Sequence, residues 1–337
     1  MRSLLLVCPT ALDPALGVGQ VALALATALR KSGVPVRLEE GWKGVRTLAA
    51  LRARVAELHR RCGPDESLEC PAPWVAALPE GGAPVIHRST QPDLSYLAAE
   101  AHGGGVRTKL ALATSALPVL AGWRRVQGFL CLGTAERTWM AARAPWLAPR
   151  LHTYLHAPEE ALRPALAAVA AHRRPPLHGR TRWLWLGRWA RHKGTGGLIA
   201  FLADRLARFP DETVTLAGTG SRPPLPGLPL ERVRVVPHYA RVELPALLAS
   251  HDAGLFTSTS EGWGLSLQEM LETGMPVYAT AAGGVEDLAP WFPQALRPFP
   301  PVEQALAPAG PARRGYMERF SWDAIGADYA AWLRTLG

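Results

Sequence analysis

The chain has 337 residues, 48% of them hydrophobic, which allows two domains of ordinary size with buried cores and excludes a disordered protein. Its 37 Lys and Arg against 28 Asp and Glu give a net charge of +9, which favours anionic partners such as phosphates, nucleic acid or acidic membranes. No apolar run approaches the roughly 18 residues of a membrane span, so we expect a cytoplasmic protein, at most peripheral to the inner face of a membrane. Reduced thiols are expected because neither a CxxC pair nor metal-ligand spacing occurs among Cys8, Cys62, Cys70 and Cys131.

The first half of the chain alternates between strand and helix patterns. Residues 3–8 predict a strand, 18–31 a helix and 34–38 a second strand, a βαβ opening that is typical of a parallel sheet. A helix is predicted over 44–61, and further strands are predicted at 84–87, 109–113, 128–132 and 151–155. These elements predict an N-terminal Rossmann-like domain over 1–156.

The second half repeats this alternation after a linker, predicted over 157–181 from its proline-rich stretch. Helices are predicted at 195–208, 243–249 and 265–273, and strands at 182–186, 213–217, 233–236, 253–257 and 275–279. Residues 289–312 are rich in Pro and Ala and predict irregular structure. We expect an α/β protein whose second Rossmann-like parallel-sheet domain, 182–318, faces the first across a cleft. A closing helix over 319–337 is expected to pack back on the N-terminal domain.

The strongest functional signal is the segment Ser260–Glu269, which follows a predicted strand and opens a predicted helix. The free N–H groups of a helix N-terminus, here those of residues 264–266, favour an anion. Glu261 lies in the turn and Glu269 about one helical turn later, so both carboxylates can accept hydrogen bonds from hydroxyl groups beside that anion. A ligand with central phosphates and polyols at both ends fits this pattern, which describes a nucleotide sugar.

A second signal is the basic loop Gly187–Gly194, which directly follows a predicted strand. Arg188 and Lys193 leave the carboxyl end of that strand, where ligands bind in open parallel sheets. A departing diphosphate needs its growing charge neutralised, and the chain has no Asp-x-Asp pair to hold a metal for this purpose. Fixed cations can do the same work. Taken alone, the loop favours a solvated basic surface, whereas together with Glu261 and Glu269 it favours a site for a diphosphate.

Three weaker signals remain. Gly17 begins a G-x-G-x-x-A pattern typical of NAD sites, but eight residues separate it from the first strand, which favours a lid over a dinucleotide turn; an NAD-dependent oxidoreductase stays a remote alternative. His87 ends a predicted strand facing the cleft and is either structural or an acceptor-site or catalytic group. The helix at 44–61 is basic and amphipathic, so it either covers the sheet or docks on an acidic membrane.

Together these residues resemble the retaining GT-B glycosyltransferases of family four. The likeness is strongest over 182–288 and rests on the pair Glu261 and Glu269, on Arg188 and Lys193, and on the turn at 283–287. It implies that Glu269 holds the nucleotide ribose and Glu261 the donor sugar. It further implies a donor site, for a UDP-sugar or alternatively a GDP-sugar, formed by Gly17, Gly187, Arg188, Lys193, His238, Tyr239, Glu261, Gly262, Trp263, Gly264, Leu265 and Glu269.

The expected reaction is therefore a metal-independent glycosyl transfer, with retention, to a glycan, lipid or small-molecule acceptor bound by the N-terminal domain. No cofactor is expected, because the nucleotide sugar is a substrate. The N-terminal half departs from the family's motifs, for example at Leu16-Gly17 and at Ala113-Thr114-Ser115, which leaves a non-catalytic nucleotide-sugar or glycan binder as an alternative. A nucleic-acid binder is disfavoured, because the basic residues are scattered without interleaved aromatic side chains.

Overall fold

The computed structural model describes residues 3–8, 12, 17–41, 48–71, 74–90, 106–177, 179–301 and 312–336. The chain divides into two compact units, one comprising Met1–His156 and Glu318–Gly337 and the other Ala157–Met317. Each unit contains one six-stranded sheet in which every pair of neighbouring strands is parallel. The predicted fold class, α/β with two Rossmann-like parallel sheets, is confirmed.

The sheet of the first unit has the strand order β2-β1-β3-β4-β5-β6. Its strands are β1 Ser3–Cys8, β2 Val36–Glu40, β3 Glu66–Pro71, β4 Val85–Arg88, β5 Gly128–Leu132 and β6 Leu151–Tyr154. Its helices are α1 Gly17–Lys31, α2 Leu48–Arg61, α3 Val106–Trp123 and α4 Thr134–Arg143. Short 3-10 turns at Trp74–Ala77 and Pro145–Arg150 complete the unit before the chain leaves it.

The second unit has the strand order β12-β11-β10-β7-β8-β9. Its strands are β7 Arg182–Leu186, β8 Thr213–Ala217, β9 Val233–Val236, β10 Ala253–Phe256, β11 Val277–Ala279 and β12 Leu296–Pro298. Its helices are α5 Arg163–Ala171, α6 Thr195–Arg208, α7 Leu244–Ala249, α8 Leu265–Glu272, α9 Val285–Leu288 and α10 Arg314–Arg319, the last of which crosses the unit boundary. Residues 157–181, expected as a linker, group with this unit and contain α5.

Both sheets are held by central strands that are apolar on both faces, as parallel strands covered by helices must be. Five residues of β1, Leu4 to Cys8, are fully buried, and so are the last four of β7, from Trp183 to Leu186. The β7 indoles of Trp183 and Trp185 pack against the apolar face of α6 in one core cluster. This packing fixes the carboxyl ends of β7 and β10 beside each other, because the two strands are hydrogen-bonded neighbours.

The sequence prediction was wrong for three elements of the two sheets. Residues 109–113, expected as a strand, lie inside helix α3, because a short apolar run has no periodicity that separates a strand from a buried helix. The strand β3 was missed, since its buried face includes Glu66 and Glu69 and reads as polar. The strand β12 lies in the stretch predicted to be irregular. The second strand begins two residues later than expected, at Val36.

The last helix, α11 Trp322–Thr335, belongs to the first unit although it follows the second in the chain. It packs along α1, where a Cβ on Gly326 would lie 2.6 Å from the Cβ of Ala28, so only glycine permits the approach. Tyr329 donates a hydrogen bond to the buried carboxylate of Glu69 (2.9 Å), which is also ion-paired with Arg88. The first unit is therefore built from an N-terminal sheet and a helix from the C-terminal part of the chain.

The basic helix α2 covers the sheet and does not offer an apolar face to a membrane. Leu51, Val55 and Leu58 are buried in the core of the first unit. Arg54 and Arg61 on the outer side are each ion-paired with both Glu39 and Glu57, so part of the basic face is neutralised. Of the two roles that the sequence allows for this helix, covering the sheet is therefore the one that its apolar face fulfils. Among the described helices, none has both the length and the apolar character needed to cross a bilayer.

Candidate functional site

Two loops meet at the carboxyl edge of the second sheet. One loop follows β7 and contains Arg188 and Lys193; the other follows β10 and leads through Glu261 into α8. Because β7 and β10 are adjacent and parallel, these loops leave the sheet side by side. Ligands of open parallel sheets bind at this edge, outside the carboxyl ends of the strands. The structure thus brings together the two strongest signals of the sequence.

Direct bonds join the two loops. The ammonium of Lys193 is hydrogen-bonded to a carboxylate oxygen of Glu261, and the Thr257 hydroxyl donates to the Lys193 carbonyl (2.7 Å). The Lys193 side chain is 17% exposed and that of Glu261 10%, so water screens this ion pair only in part. Gly194 makes the close approach possible: its φ is +67°, and a Cβ would lie 1.8 Å from the carbonyl oxygen of Thr257.

Arg188 differs from Lys193 in its surroundings. Its side chain is exposed, and within the described residues its guanidinium has no ion-pair partner. Gly187 and Arg188 directly follow the last residue of β7, so the Arg188 side chain starts from the carboxyl edge of the sheet. A cation in this position is available to an anionic ligand, whereas Lys193 is already paired with a carboxylate.

The N-terminus of α8 is formed by a tight turn that uses two glycines. Gly264 has φ +88° and lies against the ring of Phe256, where a Cβ would come within 2.8 Å. Gly283, with φ +60°, sits over the carbonyl of Trp263, and the Gly284 N–H donates to that carbonyl (2.8 Å). The indole of Trp263 is buried, so its side chain does not project from the turn.

The first N–H groups of α8 precede its first intrahelical bond. Leu267 donates the earliest of these bonds, to the carbonyl of Gly264 (3.0 Å), so the N–H groups of Leu265 and Ser266 lie ahead of it at the positive end of the helix. Gly262, Trp263 and Gly264 are buried in the turn that leads to this point. The arrangement is that of an anion site beside the Lys193–Glu261 pair.

Glu269 lies on the buried side of α8, with 2% of its surface exposed. Its Oε1 accepts a hydrogen bond from Nη2 of Arg241 (2.5 Å), and Nε of Arg241 lies 3.7 Å from Oε2 of Glu159. Burial raises the pKa of the Glu269 carboxyl, and the charge of Arg241 opposes that rise. Each of the two predicted carboxylates therefore has its own cation.

The remaining predicted residues fall into two groups. His238 is exposed in the loop after β9, and Tyr239 beside it is partly buried against Gly218; burial and the charge of Glu269 raise the pKa of its phenol to about 12. Gly17 begins α1, and the loop before it, apart from Leu12, lies outside the described residues.

His87 does not lie where the sequence placed it. It is inside β4, which ends one residue later at Arg88, and none of its surface is exposed. Its Nδ1 is 3.0 Å from the carbonyl oxygen of Cys70, and its ring packs edge-on against Phe129 at 4.4 Å between centroids. The expectation that His87 faces a cleft is wrong, because apolar strands surround it on the sheet.

Sequence reasoning missed Arg241 and Glu159, the two residues that complete the surroundings of Glu269. Arg241 lies 28 positions before Glu269 in a loop with no recognisable motif. The one available signal was its place two residues after the predicted Tyr239, at the carboxyl edge of the same sheet. In the described part of the chain, no group of three or more His, Cys, Asp or Glu is arranged to hold a metal ion.

A comparison with known protein families finds a match over the part of the chain that contains the two loops. Residues 180–291, which carry both loops and α8, match the family described as glycosyl transferases group 1. Among curated proteins, no sequence matches the chain.

Solved structures of similar fold cover nearly the whole chain. A sucrose-phosphate synthase from Thermosynechococcus elongatus is 16% identical with a TM-score of 0.61, covering 99% of this chain and 95% of its own. WaaG, a glycosyltransferase involved in lipopolysaccharide biosynthesis, is 14% identical with a TM-score of 0.59, covering 97% and 95%. The catalytic domain of starch synthase IV from Arabidopsis thaliana is 11% identical with a TM-score of 0.57, covering 100% and 98%. The chain has the GT-B fold of these enzymes, and its segment 180–291 is similar to the group 1 glycosyltransferases.

Proposed function

We propose that the protein is a retaining glycosyltransferase that moves a sugar from a nucleoside-diphosphate sugar to an acceptor hydroxyl without a metal ion. The observation that carries this proposal is the junction of the two loops: an exposed arginine, a lysine–glutamate pair and the N-terminus of α8 at one sheet edge. The group 1 match covers these same residues. We also infer membership of family four from the pair Glu261 and Glu269 and from Arg188 and Lys193.

Each group has a role in this reaction. The diphosphate binds at the N–H groups of Leu265 and Ser266, with Arg188 and Lys193 neutralising the charge that grows as it departs. Glu261 accepts hydrogen bonds from the donor sugar, and Glu269 from the ribose. Fixed cations supply here what a bound metal supplies elsewhere.

The transfer itself balances without a protein base. The acceptor oxygen forms a bond to the anomeric carbon on the face from which the diphosphate leaves. The bond between that carbon and the phosphate oxygen breaks, and the departing phosphate takes the acceptor proton. Burial of His87 in β4 agrees with a reaction that does not require it.

The donor is a UDP-sugar, with a GDP-sugar as the second candidate, and the acceptor is bound by residues of the first unit. A structural neighbour, the starch synthase domain, was solved with ADP and acarbose, so nucleoside diphosphates are suitable probes for a chain of this fold. A non-catalytic nucleotide-sugar binder is the alternative, favoured by the departures from family motifs in the first unit. Hydrolysis of the donor in the absence of an acceptor would exclude it.

The two glutamates give the test of this assignment. The ribose remains in the product nucleotide, whereas the transferred sugar does not. Glu269→Gln should therefore lower the affinity for UDP and the affinity for the intact donor by similar factors. The expected loss is about 1.5–3 kcal/mol, that of a hydrogen bond to a charged group. Glu261→Gln should leave UDP affinity nearly unchanged, because Lys193 stays cationic, while turnover and sugar discrimination fall.

Titration calorimetry with UDP, GDP and intact donors measures these differences. Glu231→Gln, on an exposed residue outside the site, is the matched control and should behave as the wild type. Equal loss of UDP affinity in Glu261→Gln and Glu269→Gln would contradict the division of roles. Absence of binding to every nucleoside diphosphate and nucleotide sugar by the wild type would overturn the proposed function.

A further inference from the structure

Glu269 and Arg241 form an ion pair that the proposed reaction leaves without a role. The pair links the segment after β9 to helix α8 of the second unit, since Arg241 follows β9 and Glu269 lies in α8. The Glu269 side chain is 2% exposed and that of Arg241 25%. Only Oε1 of Glu269 is bonded to Arg241; within the described residues, Oε2 has no hydrogen-bond partner.

Other charged and titratable groups surround this pair on all of its neighbouring segments. Glu159 lies on the far side of Arg241, at 3.7 Å from Nε. Tyr239 precedes Arg241 in the same loop, and Glu272 lies one turn after Glu269 in α8, paired with Arg163. Among the described residues, Arg241 is thus the one cation that contacts Glu269, while Glu159 acts on Glu269 as a like charge and Glu269 acts in the same way on Glu272.

A buried carboxylate without a cation becomes protonated near neutral pH. Burial alone moves carboxyl groups up by as much as about 3–5 pH units, and a nearby cation reverses that shift. For Glu269, burial raises the pKa above its usual value, and the charge of Arg241 offsets part of that rise. Removing Arg241 leaves burial and the repulsion of Glu159 unopposed, so the neutral acid becomes the stable form.

The protonation state of Glu269 decides how well it binds a sugar hydroxyl. A carboxylate oxygen accepts charge-assisted hydrogen bonds, which are roughly twice as strong as those between neutral groups. A protonated carboxyl group offers one weaker acceptor and one donor, and a ribose diol gains less from it. An arginine that occupies one oxygen and leaves the other open therefore prepares the residue for a diol.

We propose that Arg241 is a positioning residue of the donor site, which holds Glu269 as a carboxylate with Oε2 available to the ribose and is itself held by Glu159. This inference rests on the proposed function for the identity of the ligand. It predicts a specific signature: without the guanidinium, nucleotide affinity becomes dependent on pH over a range in which the wild type is nearly constant.

The test compares Arg241→Gln and Arg241→Lys with the wild type, using UDP and GDP as probes from pH 6 to pH 9. Arg241→Gln should bind UDP about tenfold or more weakly at pH 6.5, the equivalent of one charged hydrogen bond, and should approach the wild type as the pH rises. Arg241→Lys should restore most of the wild-type profile. Dividing the variant's dissociation constant by that of the wild type at each pH removes the titration of the phosphate groups.

Arg234→Gln is the matched control, an exposed arginine of the adjacent strand β9 that does not contact Glu269. It should show wild-type affinity at every pH. A double variant, Arg241→Gln with Glu269→Gln, should bind UDP no more weakly than Glu269→Gln alone and should have no pH dependence of its own. A purely structural arginine would instead give losses that add and that do not change with pH.

A ligand-free measurement separates this inference from the proposed function. Infrared spectra at pH 7 should show a protonated carboxyl band in Arg241→Gln that is absent from the wild type and from the double variant. Absence of that band, or a loss of UDP affinity in Arg241→Gln that is the same from pH 6 to pH 9, would overturn the inference and leave the proposed function intact. If the wild type binds no nucleoside diphosphate but the band appears, the proposed function fails while the charge-holding role of Arg241 stands.

Discussion

Arg188 and Lys193 occupy one loop, but their charges are not equivalent. Arg188 is exposed, whereas Lys193 is ion-paired with Glu261. Removing Arg188 deletes a cation and nothing else. Removing Lys193 also leaves the Glu261 carboxylate without its partner beside the expected diphosphate, and an unpaired, partly buried charge is costly. The two cations should therefore fail in different ways.

We expect Arg188→Ala to weaken the binding of UDP by about 1.5–3 kcal/mol. Turnover should fall by a larger factor than UDP affinity, because the leaving group gains charge in the transition state. Lys193→Ala should weaken the binding of UDP more than Arg188→Ala does. The double variant Lys193→Ala with Glu261→Gln should recover part of that loss. Calorimetry and steady-state kinetics measure both effects. Activity that is lost in EDTA and restored by magnesium would contradict the role given to the two cations.

Motif spacing identified the candidate side chains but not their pairings. Glu261, Glu269 and Lys193 were predicted from local patterns, and the structure places all three in loops and helices at one sheet edge. The ion pairs of Glu261 and Glu269 join residues 68 and 28 positions apart, which local patterns do not encode. His87 was placed wrongly for a related reason: burial depends on the strands on either side, and β3 was not foreseen.

At the level of elements, the loop after β7 joins helix α6 at a position where only glycine fits. Gly194 precedes α6 with φ +67°, and it touches the carbonyl of Thr257 at the start of the second loop. Gly196, two residues later in the first turn of the same helix, has open space around its Cα. The two glycines thus form a natural pair of test positions.

Gly194→Ala should separate the two loops, because its Cβ would lie 1.8 Å from a backbone oxygen that cannot rotate away. The left-handed backbone adds roughly 1–2 kcal/mol for a residue with a side chain. Gly196→Ala should stabilise the protein by about 0.4–1 kcal/mol through the unfolded state. Chemical denaturation and UDP titration check both; equal UDP affinity in the two variants would show that the loop junction does not shape the donor site.

Most elements with a clear apolar pattern were predicted to within a few residues, and the exceptions have two causes. The short apolar run at 182–186, which ends at a glycine, gave β7 with its bounds, and the helical spacing of the apolar residues at 195–208 gave α6. The run at 109–113 has no period, and β3 hides two glutamates in a buried strand, each paired with an arginine. Buried polar residues whose partners lie far away in the sequence are therefore predicted, wrongly, to be exposed.

At the scale of the whole molecule, the chain returns to its first unit at the end. The predicted closing helix corresponds to α11, but nothing in its sequence shows that Tyr329 reaches Glu69, 260 positions earlier. Glu69 and Arg88 form an ion pair with no exposed surface, and such a pair is stable only if its remaining atoms find partners. The Tyr329 hydroxyl is one of these partners, so the C-terminal helix supports the charge balance of the N-terminal sheet.

A second buried tyrosine offers a matched comparison in the other unit. The Tyr316 hydroxyl donates to Glu272 (2.7 Å) and accepts from the amide of Gln268 (2.9 Å). Gln268 in turn accepts from the indole of Trp263 (2.7 Å), in the turn that leads into α8. Tyr316 therefore connects to the candidate donor site, whereas Tyr329 connects to the first sheet.

Replacing each tyrosine by phenylalanine should separate stability from nucleotide binding. Each change leaves a buried carboxylate short of one hydrogen bond, at a cost of about 1–3 kcal/mol. Tyr329→Phe should speed hydrogen exchange at the amides of β3 and β4 and leave UDP affinity unchanged, because its contacts are confined to the first unit. Tyr316→Phe should instead speed hydrogen exchange in α8 and weaken the binding of UDP, since Trp263 and the N-terminus of α8 lose a fixed support.

Hydrogen exchange measured by mass spectrometry, with UDP calorimetry on the same samples, distinguishes these outcomes. A fall in UDP affinity in Tyr329→Phe equal to that in Tyr316→Phe would contradict the proposal that UDP binds at the turn and helix α8 of the second unit.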